Sequence, residues 1–288
     1  MNTLSSESLE RVAGGKPLRT FPQPALGRVL VVAGSDSGGG AGIQGDIKTI
    51  TALGGYAATA VTAITAQNTL GVSAIQRIKP SLVELQARAV LADIGADVIK
   101  TGMLGGKKLI EMLAALLEET GLPAVIDPVM LSKSGAALLK PGAVAVFKDQ
   151  LVPRAALLTP NAPEAEALTG LSVKTTDDLR RAGEALLAAG AQAVLMKGGH
   201  IEGATVTDIL MTPGGETSFS GPRLDTRHTH GTGCALASAC AVGLAQGMTL
   251  DAAVTRAWAY VGEAIRQAPG LGGGAGPLGH GWPLKGLA

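Results

Sequence analysis

Residues 228–234, His228-Thr229-His230-Gly231-Thr232-Gly233-Cys234, lead into the small-residue run Ala235-Leu236-Ala237-Ser238-Ala239, which has good helix propensity. A Gly-Thr-Gly stretch opening a helix leaves several backbone N–H groups unpaired and converging. With the positive end of the helix dipole, the Gly231, Thr232, Gly233 and Cys234 amides make an anion hole suited to a phosphate in transfer. Cys234 stands at the helix start, where a thiolate is favoured, so it is expected to accept a proton near neutral pH. Cys240, on the same helix, is expected to be structural. The two cysteines are about 240° apart around the helix and cannot bridge. His228 and His230 have no third ligand close by in sequence and read as loop histidines.

A second chemical signal lies near the other end of the chain. Gly34, Gly38, Gly39, Gly40, Gly42 and Gly45, interspersed with Ser35, Asp36 and Ser37, follow an apolar run directly. That density suits a loop whose backbone, at Gly34 and Gly42 among others, wraps a small polar ligand. Residues 40–45 also match G-x-G-x-x-G, but the preceding strand ends near residue 33, and residues 54–73 hold no Asp or Glu for a ribose. Nicotinamide binding is therefore disfavoured, and a Walker G-x-x-x-x-G-K-[ST] loop is absent.

These segments need a scaffold, and the hydrophobic pattern supplies one. Short apolar runs at 29–33, 57–65, 98–100, 124–127, 155–158 and 193–197 read as strands buried on both faces. They alternate with helical stretches at 42–53, 82–94, 109–119, 164–168 and 179–189. Runs at 205–211 and 216–219 form a hairpin around Pro213-Gly214-Gly215, and helices at 234–245 and 250–267 close the body. Alternating strands and helices imply right-handed βαβ units, a mostly parallel central sheet and an α/β fold. Ligands of such sheets bind at the carboxyl ends of the strands.

The chain has 288 residues, long for one domain, but no composition shift marks an interior linker. The reading is a loose polar extension over residues 1–25 followed by a single domain over 26–288. Apolar residues make up 46% and charged residues 16%, ample for a large core. With 24 basic and 23 acidic residues the net charge is +1, which argues against a nucleic-acid partner. No apolar run is long enough for a membrane span, and no secretory signal is visible, so a cytoplasmic protein with reduced thiols is expected.

Taken in order, several motifs resemble those of the hydroxymethylpyrimidine/phosphomethylpyrimidine kinases, the thiamine-pathway branch of the ribokinase-like superfamily. They are residues 33–44, Thr65-Ala66-Gln67-Asn68-Thr69, Lys100-Thr101-Gly102-Met103-Leu104, Asp127-Pro128-Val129-Met130, Lys133-Ser134-Gly135, Thr159-Pro160-Asn161 with Glu164, residues 196–200 and residues 229–234. The likeness runs from Arg28 to the tail. It implies a three-layer α/β/α ribokinase-like fold and a homodimer, with ATP and a small pyrimidine alcohol as partners. ATP would phosphorylate 4-amino-5-hydroxymethyl-2-methylpyrimidine and then its monophosphate.

By the same resemblance Cys234 is the base, in place of the aspartate of sugar kinases, and Gly231, Thr232 and Gly233 complete the anion hole. Gln67 would bond the pyrimidine edge, Asp46 would make a polar contact with the ring, and Met103 and Val129 would pack on it. Lys197, Asn161, Glu164 and Thr232 would serve the nucleotide, and Glu164 and Asp127 would serve Mg²⁺. The chain departs from the pattern at Ala235 (often Thr), Arg227-His228 (often Lys-Asn) and Gly45 (often Ala), changes that bear on nucleotide affinity. Pyridoxal kinase activity is the nearest alternative, and a non-catalytic ligand-binding protein on the same scaffold is a more distant one.

Overall fold

The first strand, β1 (Arg28–Asp36), shows how the layers form. Its side chains alternate between two cores: Leu30 and Val32 enter one, while Val29, Val31 and Ala33 enter the other. A strand buried on both faces needs helices on both, and the computed structural model of the chain, which describes residues 26–131, 135 and 138–287, has them. The expected extension over residues 1–25 lies outside the described residues, as do Lys133 and Ser134 of the fifth motif.

After β1 come α1 (Gly42–Ala52), β2 (Tyr56–Asn68), β3 (Gly71–Arg77), α2 (Pro80–Asp93), β4 (Val98–Thr101), α3 (Lys107–Thr120) and β5 (Ala124–Ile126). The chain continues through α4 (Val144–Gln150), β6 (Leu157–Leu158), α5 (Ala162–Thr169), α6 (Thr176–Ala188), β7 (Val194–Met196), β8 (Thr205–Thr212), β9 (Gly215–Pro222), α7 (Thr232–Ala245) and α8 (Leu250–Arg266). Among the described residues there is one nine-stranded sheet, ordered β3-β2-β1-β4-β5-β6-β7-β8-β9. The pairs from β2 through β7 are parallel, and the β2–β3, β7–β8 and β8–β9 pairs at the edges are antiparallel.

Helices α2 to α6 cover one face, and α1, α7 and α8 the other. Helix α7 is apolar all round, with residues 235–243 buried, because it lies between the sheet and α1 and α8. The chain goes from β1 outward to β2 on one side and returns to β4 on the other. The loops after β1 and β4 therefore diverge and leave a crevice at their carboxyl ends.

The expected strands and helices are present, with two additions. The hairpin partner β3 pairs with the end of β2 from Ala63↔Arg77 to Asn68↔Gly71, and its side chains are exposed or half-buried, so it carries no apolar run to betray it. Helix α4 buries chiefly Phe147 and likewise has no sustained period. The helix expected from residue 234 begins at Thr232, which makes Cys234 its third residue.

Candidate active site

At the carboxyl edge, Asp127 follows β5, Asn161 and Glu164 begin α5 just after β6, and Lys197 follows β7. Lys197 Nζ lies 3.0 Å from Asp127 Oδ1 and 3.8 Å from Glu164 Oε2. Thr159 Oγ1 also donates to Asp127 Oδ1, at 3.1 Å. A Cβ built on Gly233 would stand 3.1 Å from Lys197 Nζ, so the ammonium sits against the first turn of α7. Burial alone would lower the Lys197 pKa, but the Asp127 and Glu164 carboxylates outweigh it and hold the side chain charged. Burial lifts Glu164 to about 7 against the pull of Lys197.

Glu164 and Asn161 form a reciprocal cap of α5. The Glu164 N–H donates to Asn161 Oδ1 at 2.9 Å, and the Asn161 N–H donates to Glu164 Oε2 at 2.8 Å. The expected nucleotide residues Lys197, Asn161 and Glu164 and the expected metal residue Asp127 are thus brought together beside the α7 N-terminus. There, helix geometry leaves the Gly233 and Cys234 N–H groups without in-helix acceptors. The Thr232 hydroxyl is engaged by the Thr229 carbonyl at 2.8 Å.

The other half of the site is the glycine-rich loop. Gly42 has φ +56°, and a Cβ there would meet the Gly34 carbonyl at 2.4 Å. At Gly34 a Cβ would stand 3.1 Å from Met103 Sδ. Met103 belongs to a small apolar cluster with Ala63 and Leu138, and Val129 packs against it. Gln67 Nε2 lies 3.3 Å from His230 Nε2, which is also 2.8 Å from Asp36 Oδ2; Thr65 Oγ1 donates to Gln67 Oε1 at 3.2 Å. Burial raises Asp36, but His230 and the Ala41 and Gly38 N–H groups bring it below the usual carboxylate range. Gly42, Gly34, Met103 and Val129 thus lie in one series of contacts and Gln67 in another, which adds His230 and Asp36, residues the sequence reading did not assign.

The structure qualifies two expectations. Asp46 is fully buried: its Oδ1 accepts from Lys100 Nζ and Ser238 Oγ, both at 2.7 Å, while its Oδ2 has no hydrogen-bond partner among the described residues. The pair sits beneath Cys234, because Ser238 lies one turn further along the same face of α7. Burial raises the Asp46 pKa. Lys100 stays protonated because Asp46, Cys234 and Asp127 outweigh its own burial. The signal for this pair was Lys100 itself, a charge in the fully buried strand β4, which must find a buried partner.

The second change concerns Cys234. Burial pushes its thiol up to about 12, against the lowering influence of Lys100 and of a hydrogen bond from the Gly42 N–H. A helix N-terminus contributes roughly 0.3–1 kcal/mol, under one pKa unit, so the desolvation of a half-buried sulfur wins. The resting thiol is neutral, contrary to the expectation of a ready proton acceptor. Cys240 is buried mid-helix, as expected, and both cysteines are free.

The phosphomethylpyrimidine kinase family model matches residues 36–279. The chain belongs to that family. It is 50% identical over 257 residues to a hydroxymethylpyrimidine/phosphomethylpyrimidine kinase of Streptomyces coelicolor, covering 89% of this chain and 95% of the relative. It is also 50% identical over 263 residues to a thiamine-biosynthesis bifunctional protein of Geobacter sulfurreducens, covering 91% of this chain and 54% of that protein. Among solved structures, an ADP complex of Bacillus subtilis pyridoxal kinase superposes with a TM-score of 0.83 at 34% identity, covering 89% of this chain and 98% of the other. The ribokinase-like fold is thereby shared by phosphomethylpyrimidine kinases and pyridoxal kinases alike.

Proposed function

We propose that this chain transfers the γ-phosphate of ATP to the hydroxymethyl oxygen of 4-amino-5-hydroxymethyl-2-methylpyrimidine, and then to the monophosphate, in thiamine biosynthesis. The observation that carries the reading is the convergence of two half-sites on Cys234. Lys197 and the free α7 amides lie on one side, and Gly42, whose N–H bonds the sulfur, on the other. Phosphoryl transfer relies chiefly on positioning and electrostatics, and this arrangement provides both. The Gly233 and Cys234 N–H groups and Lys197 Nζ bind the transferring phosphoryl oxygens. Gln67 offers a donor and an acceptor to an aminopyrimidine edge, while Met103 and Val129 pack on the ring. The Cys234 thiolate, supported by Lys100 and the Gly42 N–H, takes the hydroxyl proton and becomes a neutral thiol as the hydroxymethyl oxygen bonds the γ-phosphorus and ADP leaves.

Carboxylate oxygens are the donors Mg²⁺ takes, but Asp127 and Glu164 are already bonded to Lys197, Thr159 and Asn161. They fit an ion held largely through water and nucleotide oxygens, where it would neutralise phosphate charge. A homodimer and a cytoplasmic setting complete the proposal; the free cysteines suit a reducing compartment. The fold shared with solved pyridoxal kinases supports pyridoxal phosphorylation as a second reading.

One assay tests both readings: ADP release with the pyrimidine alcohol, pyridoxal and ribose in parallel, with product masses. Turnover on the alcohol and a product bearing two phosphates are expected, whereas turnover on pyridoxal alone would overturn the primary reading. Because the resting thiol is neutral, Cys234→Ala should lower kcat by about 10²-fold, the lower end of general-base contributions. A variant with full activity would remove Cys234 from the proton's path.

A further inference from the structure

The segment after α8 is glycine-rich and carries no regular element until Trp282, yet it is pinned at many points. The Gly279 N–H donates to the Ala264 carbonyl at 2.8 Å, and the Tyr260 hydroxyl donates to the His280 carbonyl at 2.8 Å. Trp282 Nε1 donates to the Tyr260 carbonyl at 3.2 Å, and the indole stacks on the Tyr260 ring. These contacts fix the backbone of His280, whose side chain is 4% exposed. Its ring bridges two other elements: Nδ1 lies 3.2 Å from Thr49 Oγ1 on α1, and Nε2 lies 3.3 Å from the Gly40 carbonyl. A carbonyl only accepts, so Nε2 carries the proton and Nδ1 receives the Thr49 hydroxyl.

Gly40 is the tightest point between the two half-sites. A Cβ on Gly231 would meet its carbonyl oxygen at 1.9 Å, and one on Gly45 would meet it at 2.9 Å. A Cβ on Gly40 itself would strike the His230 ring at 2.6 Å. The Gly40 peptide is thus wedged between the N-terminus of α7 and the start of α1, and His280 supplies a side-chain donor to its oxygen. Two residues further on, the Gly42 N–H reaches the Cys234 sulfur.

We propose that His280 is a positioning residue: by bonding the Gly40 carbonyl it holds the glycine-rich loop against α7 and so fixes where the Gly42 N–H meets Cys234. This rests on the reading of Cys234 as the proton acceptor, but the loop's attachment can be measured without turnover. The experiment is amide hydrogen exchange on the full chain, with kcat and KM, for wild type, His280→Ala, His280→Gln and Thr49→Val. In His280→Ala, exchange over residues 38–45 should quicken at least tenfold with the α8 amides unchanged. The kcat should fall roughly 3–10-fold, the measure of one neutral hydrogen bond, with KM for ATP unaltered. Glutamine, which can present an N–H to the carbonyl, should restore most of both.

Thr49→Val frees the ring at Nδ1 while leaving it in place, and should give the same loop signature at smaller size even if His280→Ala does not fold. Unchanged exchange at residues 38–45, acceleration spread equally through α8, or a glutamine variant no better than alanine would overturn the proposal. Faster loop exchange in a protein that phosphorylates no pyrimidine would instead uphold the brace and refute the assigned reaction.

Discussion

Gly231→Ala isolates the close approach on which the site depends. Gly231 caps α7 with φ +87°, and its missing Cβ would lie 1.9 Å from the Gly40 oxygen. Ordinary contact begins near 3.4 Å, so the glycine-rich loop and the α7 N-terminus must part by 3.4 − 1.9 = 1.5 Å. Left-handed backbone adds roughly 1–2 kcal/mol of strain for any residue with a Cβ. The control is Gly121→Ala at the end of α3, where φ is +62° and nothing stands within 4 Å of a new Cβ. Both variants should lose about 1–2 kcal/mol in chemical denaturation from the backbone term alone, with Gly231→Ala losing more through the clash. Only Gly231→Ala should lose catalysis: an ångström of misplacement can lower turnover by about 10²-fold. The assay is steady-state ADP release per folded molecule with the pyrimidine alcohol. If the kcat of Gly231→Ala matched that of Gly121→Ala, the idea that this contact aligns the two half-sites would be wrong.

Two further outcomes follow from the titrating groups. A thiol raised from 9.0 to about 12 holds about 10³-fold less thiolate at pH 8, so iodoacetamide should label Cys234 in the ligand-free protein about that much more slowly than a free cysteine peptide. Labelling at the peptide rate would mean that burial does not govern the sulfur. Burial, with help from Lys48 and His230, holds His280 at about 4, below the 6.5 of a free histidine. A depressed histidine pKa gives stability that is complete above pH 6.5 and lost as the pH falls toward 4. Wild type should therefore lose about 3 kcal/mol more than His280→Gln over that window, read by denaturant titration, and parallel curves would refute the shift.

How much of this was legible in the sequence follows from the range of the interactions. The apolar runs at 29–33 and 98–100 announce buried strands because their neighbours are similar residues close in the chain, and the motifs at the strand ends then fall on one edge. Strand β3 was hidden because an exposed edge strand has no apolar run to display. The buried partners of Asp46 were hidden because they are Lys100, 54 residues away, and Ser238, 192 residues away. An acid in the helix after a glycine-rich loop looks alike whether it faces a ligand or a buried lysine. The same holds for His280, whose partners Thr49 and Gly40 are 231 and 240 residues distant. Cys234 was correctly set at a helix start, but its titration depends on desolvation, and sequence spacing does not report depth.

That depth bears on why sulfur suits this position. Asp46 and Asp127 both press the Cys234 pKa upward, and the nearby Lys100 is already bonded to Asp46. Lys197 is likewise committed, to Asp127 and Glu164. A carboxylate in place of the thiol would add a further negative charge to a pocket whose two lysines are spoken for, and it would confront the incoming phosphates as well. A thiol carries no charge at rest. It therefore lets the anion hole keep its full positive potential while ATP binds, and the sulfur acts as a base only through its thiolate, which returns to the neutral thiol on taking the hydroxyl proton. Lys100 beneath the sulfur and the Gly42 N–H beside it stabilise that thiolate, and once it holds the proton no charge on sulfur opposes the phosphoryl group in transfer. Scarcity of thiolate at rest and strong phosphate binding are two results of one feature, the burial of position 234 between two occupied ion pairs.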